Sequence, residues 1–145
     1  MQPIRKTWST TISLSTQIKQ DDQTEAFDFK ELGTLTLTPN AVYLRYTEHQ
    51  YEVATPVTFK ISQIDDILLH RHNDFTDVQL HFSPNQEFQS HYITSQGNIP
   101  ITVRTNQLTN EITNDHPYGK LAVAYTLLNN HEPIGNYQLT LNIPQ

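Results

Sequence analysis

His70 and His72 stand two residues apart at the end of the run ILLHRHND. On an extended chain that spacing puts both imidazoles on one face, as a His-x-His metal pair requires. A cupin-type site would add a carboxylate about four residues later, another histidine on a distant strand and a glycine-rich setting. Here the nearest later carboxylate is Asp77, the region has no glycine, and no other segment carries a paired-ligand motif. The segment therefore reads as the solvated end of a strand, and neither a metal nor another cofactor is expected.

Arg71 points away from those histidines and shares a face with Ile67 and Leu69. A guanidinium on an apolar face needs a carboxylate, and Glu48 is the obvious partner, because Val42, Leu44, Tyr46 and Glu48 have one parity. An inward Arg71–Glu48 pair ringed by Tyr46, Tyr92, Thr94, Thr105 or Tyr125 could be the polar floor of a ligand cavity. It could equally be a buried network that closes one end of a barrel and binds nothing. The second reading carries more weight, because small barrels usually fill their interior with side chains.

Other chemistries find less support. Serines and histidines abound, but no nucleophile elbow, glycine-rich oxyanion loop or GxxxxGK phosphate cradle occurs. Asp21-Asp22 and Asp65-Asp66 sit at turns, where solvation explains them. The stretch YLRYTEHQY puts Tyr43 and Arg45 on one side, as a nucleic-acid surface would, yet Glu48 and Glu52 follow closely. Trp8, Phe27, Phe29, Phe59 and Phe82 read as core rather than as a ligand box.

Nine basic against fifteen acidic residues give a net charge of −6, which disfavours nucleic acid as a partner. With no cysteine in 145 residues, disulfides, thiolate catalysis and cysteine-ligated metals are excluded. No segment approaches the roughly 18 apolar residues of a membrane helix, and the first residues lack an apolar signal core, so a cytoplasmic protein without a membrane partner is expected.

The elements that must position these residues are strands. Turn signals recur at short intervals, and between them apolar residues alternate with Thr, Gln, Lys and Asn: Ile4, Trp8, Ile12, Leu14 and Ile18; Phe27, Phe29, Leu35 and Leu37; Val78, Leu80 and Phe82. Ile99, Ile101 and Val103 continue the pattern, as do Leu121, Val123, Tyr125 and Leu127, then Tyr137, Leu139, Leu141 and Ile143. Such alternation describes antiparallel strands buried on one side. One helical rival exists at ISQIDDILLH, where Ile61, Ile64, Ile67 and Leu68 fit a period of 3.6 and Ser62 with Asp65 resembles a capping box. Strands are preferred there, because Phe59 and Ile61 alternate before it and Ile67 to Leu69 is a short buried run. An open sheet would expose unpaired edges, and a long first strand from Pro3 to Ile18 can bend and pair at both ends. The expectation is one all-β domain over 1–145, a single antiparallel meander barrel of about eight to ten strands.

From Phe27 onward the chain resembles the YwiB-like family, small bacterial proteins grouped as a domain of unknown function. YLRYTEH, TFKI, ILLHR, YITSQG, ITVRTNQL, GKLAVAYTLLNN and NYQLTLNI carry the resemblance. Where that family places a glycine two positions after the strand-ending arginine, Asn73 stands here, a residue that also tolerates a left-handed backbone. The resemblance implies a calycin-like barrel similar in shape to lipocalins and streptavidin. It brings no catalytic residue and no ligand. Lipocalin chemistry is not inherited, since Lys6 stands where a glycine would precede Trp8 and the last strand has no arginine.

The functional expectation is non-enzymatic binding of a small apolar or amphipathic ligand at one barrel end, with Arg71 and Glu48 as polar anchor and Tyr46, Tyr125, Thr105 and Tyr92 around them. The alternative is a solid barrel that serves as a protein, or less readily an RNA, interaction module; a third reading is an enzyme without a recognisable motif. A continuous void of about 300 Å³ or more separates the first from the second.

Overall fold

The computed structural model describes residues 6–49, 53–63 and 65–145; Pro3, Ile4, Glu52 and Ile64 lie outside them. Ten strands follow in order: β1 (Lys6–Gln20), β2 (Gln23–Leu37), β3 (Val42–Glu48), β4 (Thr55–Gln63), β5 (Asp66–His72), β6 (Asp77–Phe82), β7 (Glu87–Thr94), β8 (Gly97–Asn110), β9 (Gly119–Asn129) and β10 (Glu132–Ile143). Each pairs with its neighbours in sequence, and β10 returns to β1, so the sheet closes into a barrel. Among the described residues, no helix is long and apolar enough to cross a membrane.

Closure uses the long first strand as expected. β1 pairs with β2 along its whole length and with β10 from Ser13 to Lys19. The helical rival is not adopted: β4 and β5 pair with Ile61 opposite Ile67 and Phe59 opposite Leu69, all four buried. Two central residues suffice for the β9–β10 turn, Asn130 and His131, both at positive φ (52° and 68°). That geometry matches the right-handed twist of the paired strands.

Ile101, Val103, Leu121 and Val123 are all buried, so the alternation does identify the lining. Ile99 departs from it. Although it shares their parity, it is 44% exposed, because the β7–β8 hairpin extends past the β8–β9 pairing, which begins only at Thr102.

In an up-and-down meander, alternate connections gather at opposite ends. At one end the interior is packed solid by Ile12, Leu35, Leu44, Phe59, Phe82, Leu121 and Leu141, all essentially inaccessible. The β8–β9 connection plugs this end with the buried Ile112. Asn110 fixes the plug by donating through Nδ2 to the Ile112 carbonyl and accepting from its N–H, both at 2.9 Å. Asn114 Nδ2 ties the same connection to the β2–β3 turn through the carbonyls of Thr38 and Ala41. The other end is open.

Candidate functional site

Three strands set the floor of the open end. Arg71 lies opposite Val57 of β4 and Val78 of β6, which fixes its side chain on the inner wall. Glu48 closes the inward series Val42, Leu44, Tyr46, all buried. Arg71 Nε donates to Glu48 Oε1 at 3.0 Å, and the Tyr46 hydroxyl lies 3.5 Å from the same oxygen. Glu48 retains only 5% of its side-chain exposure, whereas Arg71 retains 28%. The carboxylate is thus sealed behind the guanidinium, and the guanidinium faces open space.

The electrostatics agree with that order. Burial is the largest single influence on Arg71 and alone would lower its pKa, yet the attraction and hydrogen bond of Glu48 together with the Tyr46 and Tyr125 oxygens outweigh it in sum, so the guanidinium is held charged more firmly than usual. Tyr46 is pushed well above the ordinary tyrosine range, first by burial and then by Glu48. Tyr125 is raised mainly by burial, with Arg71 opposing. All three tend toward a protonated state.

Above this floor is an open cavity of about 760 Å³. Its walls are Ile18, Phe27, Phe29, Val78, Leu80 and Leu127, with Arg71, Glu48, Tyr92, Tyr125 and Tyr137 among the polar contributors. An aromatic column leads from the core to the mouth: Phe82 packs on Tyr125 with ring centroids 4.7 Å apart, and Tyr125 stacks nearly parallel on Tyr137 at 5.0 Å. Among the described residues, the side-chain hydrogen bond of Arg71 is made through Nε, and no hydrogen bond acts on the Tyr125 hydroxyl. Donors therefore remain for a bound molecule.

One side of the mouth is shaped by Asn73. Its Oδ1 accepts from the N–H groups of Phe75 (2.7 Å) and Thr76 (2.9 Å), and its Nδ2 donates to Thr55 Oγ1 at 2.8 Å. This asparagine is not among the residues at positive φ, so it serves as a side-chain acceptor that builds the turn, in place of the left-handed role open to it by sequence. The turn presents the exposed Phe75 at the mouth.

Of the six residues expected at the site, Arg71, Glu48, Tyr125 and Tyr92 line the cavity. Tyr46 stands behind Glu48, between Phe29 and Phe59, and does not line it. Thr105 sits apart, where its Oγ1 accepts from the Ser83 N–H at 3.3 Å at the β6–β7 turn. Thr94 is likewise elsewhere, bonded to the Gly97 carbonyl within the β7–β8 hairpin tip. Phe27 and Phe29, read as core, are cavity wall. Parity marks them as inward but not how far up the barrel they stand, and the position of Phe27 five residues after Asp22 of the β1–β2 turn is the available signal.

The geometry defines a closed ten-stranded antiparallel barrel, packed at one end and hollow at the other. The chain belongs to the family described as Domain of unknown function (DUF1934), which matches residues 12–141. Its fold is similar to that of the ywiB protein from Bacillus subtilis, with a TM-score of 0.71 over 94% of each chain at 19% identity. None of the curated proteins matches the sequence.

Proposed function

We propose that this chain is a soluble cytoplasmic, non-enzymatic binding protein for a small amphipathic molecule, in the manner of calycin-like barrels. The apolar body of the ligand occupies the cavity, and one hydrogen-bond acceptor meets Arg71 and Tyr125 at the floor. The observation that carries this reading is the open cavity of about 760 Å³ with a partly exposed guanidinium at its base. That volume falls within the roughly 300–1,000 Å³ of small-molecule sites, and a mostly apolar wall with few polar groups is their usual make-up.

The charge balance narrows the ligand. Glu48 already neutralises Arg71, so a ligand carboxylate would bring an uncompensated negative charge beside a sealed one. A neutral acceptor such as a carbonyl, ester or amide meets the free donors without that cost. Native mass spectrometry of the protein purified from its own cell tests the reading: a retained neutral lipid-like mass, lost in Arg71→Met with the fold intact, is the expected result. An empty wild-type protein that also fails to take up uncharged amphiphiles in solution would overturn it.

A second reading draws on the rim. Val53, Phe75, Ile93, Ile99 and Ile134 are exposed and all belong to the mouth end. Such a ring suits the apolar side chains of a protein partner, which would enter the same cavity.

A further inference from the structure

The outer face of β5 and β6 carries a second constellation, separate from the cavity. His70 and His72 project outward from β5 while Arg71 between them projects inward. The β5–β6 register puts Asp77 directly opposite His72 and diagonal to His70. Its two carboxylate oxygens divide between the rings: Oδ1 is 2.7 Å from His70 Nε2, and Oδ2 is 3.6 Å from His72 Nδ1. The two imidazoles lie side by side, 5.9 Å apart between centroids and 26° from parallel. All three donor groups fall within 4.8 Å of one another. Asp77, seven residues after His70 in sequence, is therefore brought against both histidines by the neighbouring strand.

We propose that His70, His72 and Asp77 form a binding site for a divalent transition-metal ion of the zinc, copper or nickel class. A tetrahedral ion held at about 2.0–2.1 Å by nitrogen and oxygen separates its ligands by about 3.4 Å, so the present spacing closes around a cation through side-chain rotations of an ångström or so. Two imidazoles and one carboxylate suit borderline transition metals, whereas magnesium and calcium require oxygen ligands. The backbone positions are fixed in advance, because the connection between the ligand-bearing strands is cross-tied by Asn73. All three side chains are partly or well exposed, which gives an ion access and leaves its remaining positions to water. A carboxylate between two imidazoles on a protein of net charge −6 also favours a cation electrostatically. The site lies immediately behind Arg71 and would clamp the base of the hairpin that presents Phe75 at the mouth.

Calorimetric titration of the chelator-treated full chain with Zn²⁺ tests this, together with Cu²⁺ spin resonance as a site-specific readout. The expected result is one ion per chain, a raised melting temperature, and copper coupled to two imidazole nitrogens. Replacing a metal's supporting partner already costs about 10–100-fold in affinity, so His70→Gln, His72→Gln and Asp77→Asn should each weaken binding at least tenfold. The double variant His70→Gln/His72→Gln should abolish it with an unchanged circular dichroism spectrum, since both side chains point outward. Binding no tighter than millimolar, or stoichiometric binding that survives the double variant, would overturn the proposal. So would binding that is lost in His49→Gln or His81→Gln, the other histidines paired with carboxylates.

Discussion

Arg71 and Glu48 are joined across an intervening strand: one sits on β5, the other on β3, and their 3.0 Å bond passes over the inner face of β4. The pair thus ties three strands together at the level where the packed half gives way to the cavity. Removing Arg71 leaves Glu48 sealed and uncompensated. Arg71→Met is expected to cost about 3 kcal/mol in a urea titration, the low end for breaking a buried pair, because water in the cavity reaches one side of it. Arg71→Met/Glu48→Leu should recover most of that loss. Additive effects in the double-mutant cycle would show that the two groups do not support each other.

Cavity binding and packing occupy different halves of the barrel, so they respond to different substitutions. Leu80 lines the cavity, whereas its cross-strand partner Leu69 is buried core and does not line it. Leu80→Trp should fill the void, abolish uptake of an uncharged hydrophobic fluorophore and change stability by less than about 1 kcal/mol; Leu69→Trp should cost about 1–3 kcal/mol by overpacking. The wild-type cavity should also prefer an uncharged amphiphile to its carboxylate analogue by about tenfold or more, from the desolvation cost of a second buried anion. Equal affinities in competition would count against the role given to Glu48.

The inner face of the barrel was legible because strand period is local: the parity that puts Leu121 and Val123 inside needs only their own segment. Arg71 and Glu48 could be matched on the same basis, as the only charged groups on their inward series. Height along the barrel axis was not legible, since it depends on the stagger of ten strands at once. Parity alone therefore makes Phe27 core, puts Thr105 beside the cavity and counts Ile99 as lining, where the barrel places them otherwise. Nor could a single sequence show Asp77 meeting two histidines, because that depends on the β5–β6 register.

Asn110 contributes to the closed end by two hydrogen bonds to one buried residue, Ile112. Asn110→Ala would leave the buried N–H and carbonyl of Ile112 without these partners, which costs about 2 kcal/mol. Hydrogen exchange should accelerate in the 111–118 connection, while fluorophore uptake at the far end stays as in the wild type. A variant that lost uptake but kept its exchange protection would mean that the two ends are not independent.

Alkaline pH isolates the buried tyrosines. Tyr46 and Tyr125 have folded pKa values raised above the ordinary 10.0, so folding holds their protons where the unfolded chain releases them. Their contribution is fully present below pH 10 and is lost as pH rises beyond it, at about 1.4 kcal/mol per pH unit for each group until the folded pKa is reached. Unfolding free energy should therefore fall steeply above pH 10, and tyrosinate absorbance of these two residues should appear only with unfolding. Tyr125→Phe removes one share of that slope and, having no hydrogen bond to lose within the described residues, should leave neutral-pH stability nearly unchanged. Tyr46→Phe removes the other share but also deprives Glu48 of its second donor, so it should destabilise the protein by about 1–2 kcal/mol at pH 7 as well. A slope unchanged in both variants would mean that neither hydroxyl is shielded, and with that the sealed floor beneath Arg71 would have to be abandoned.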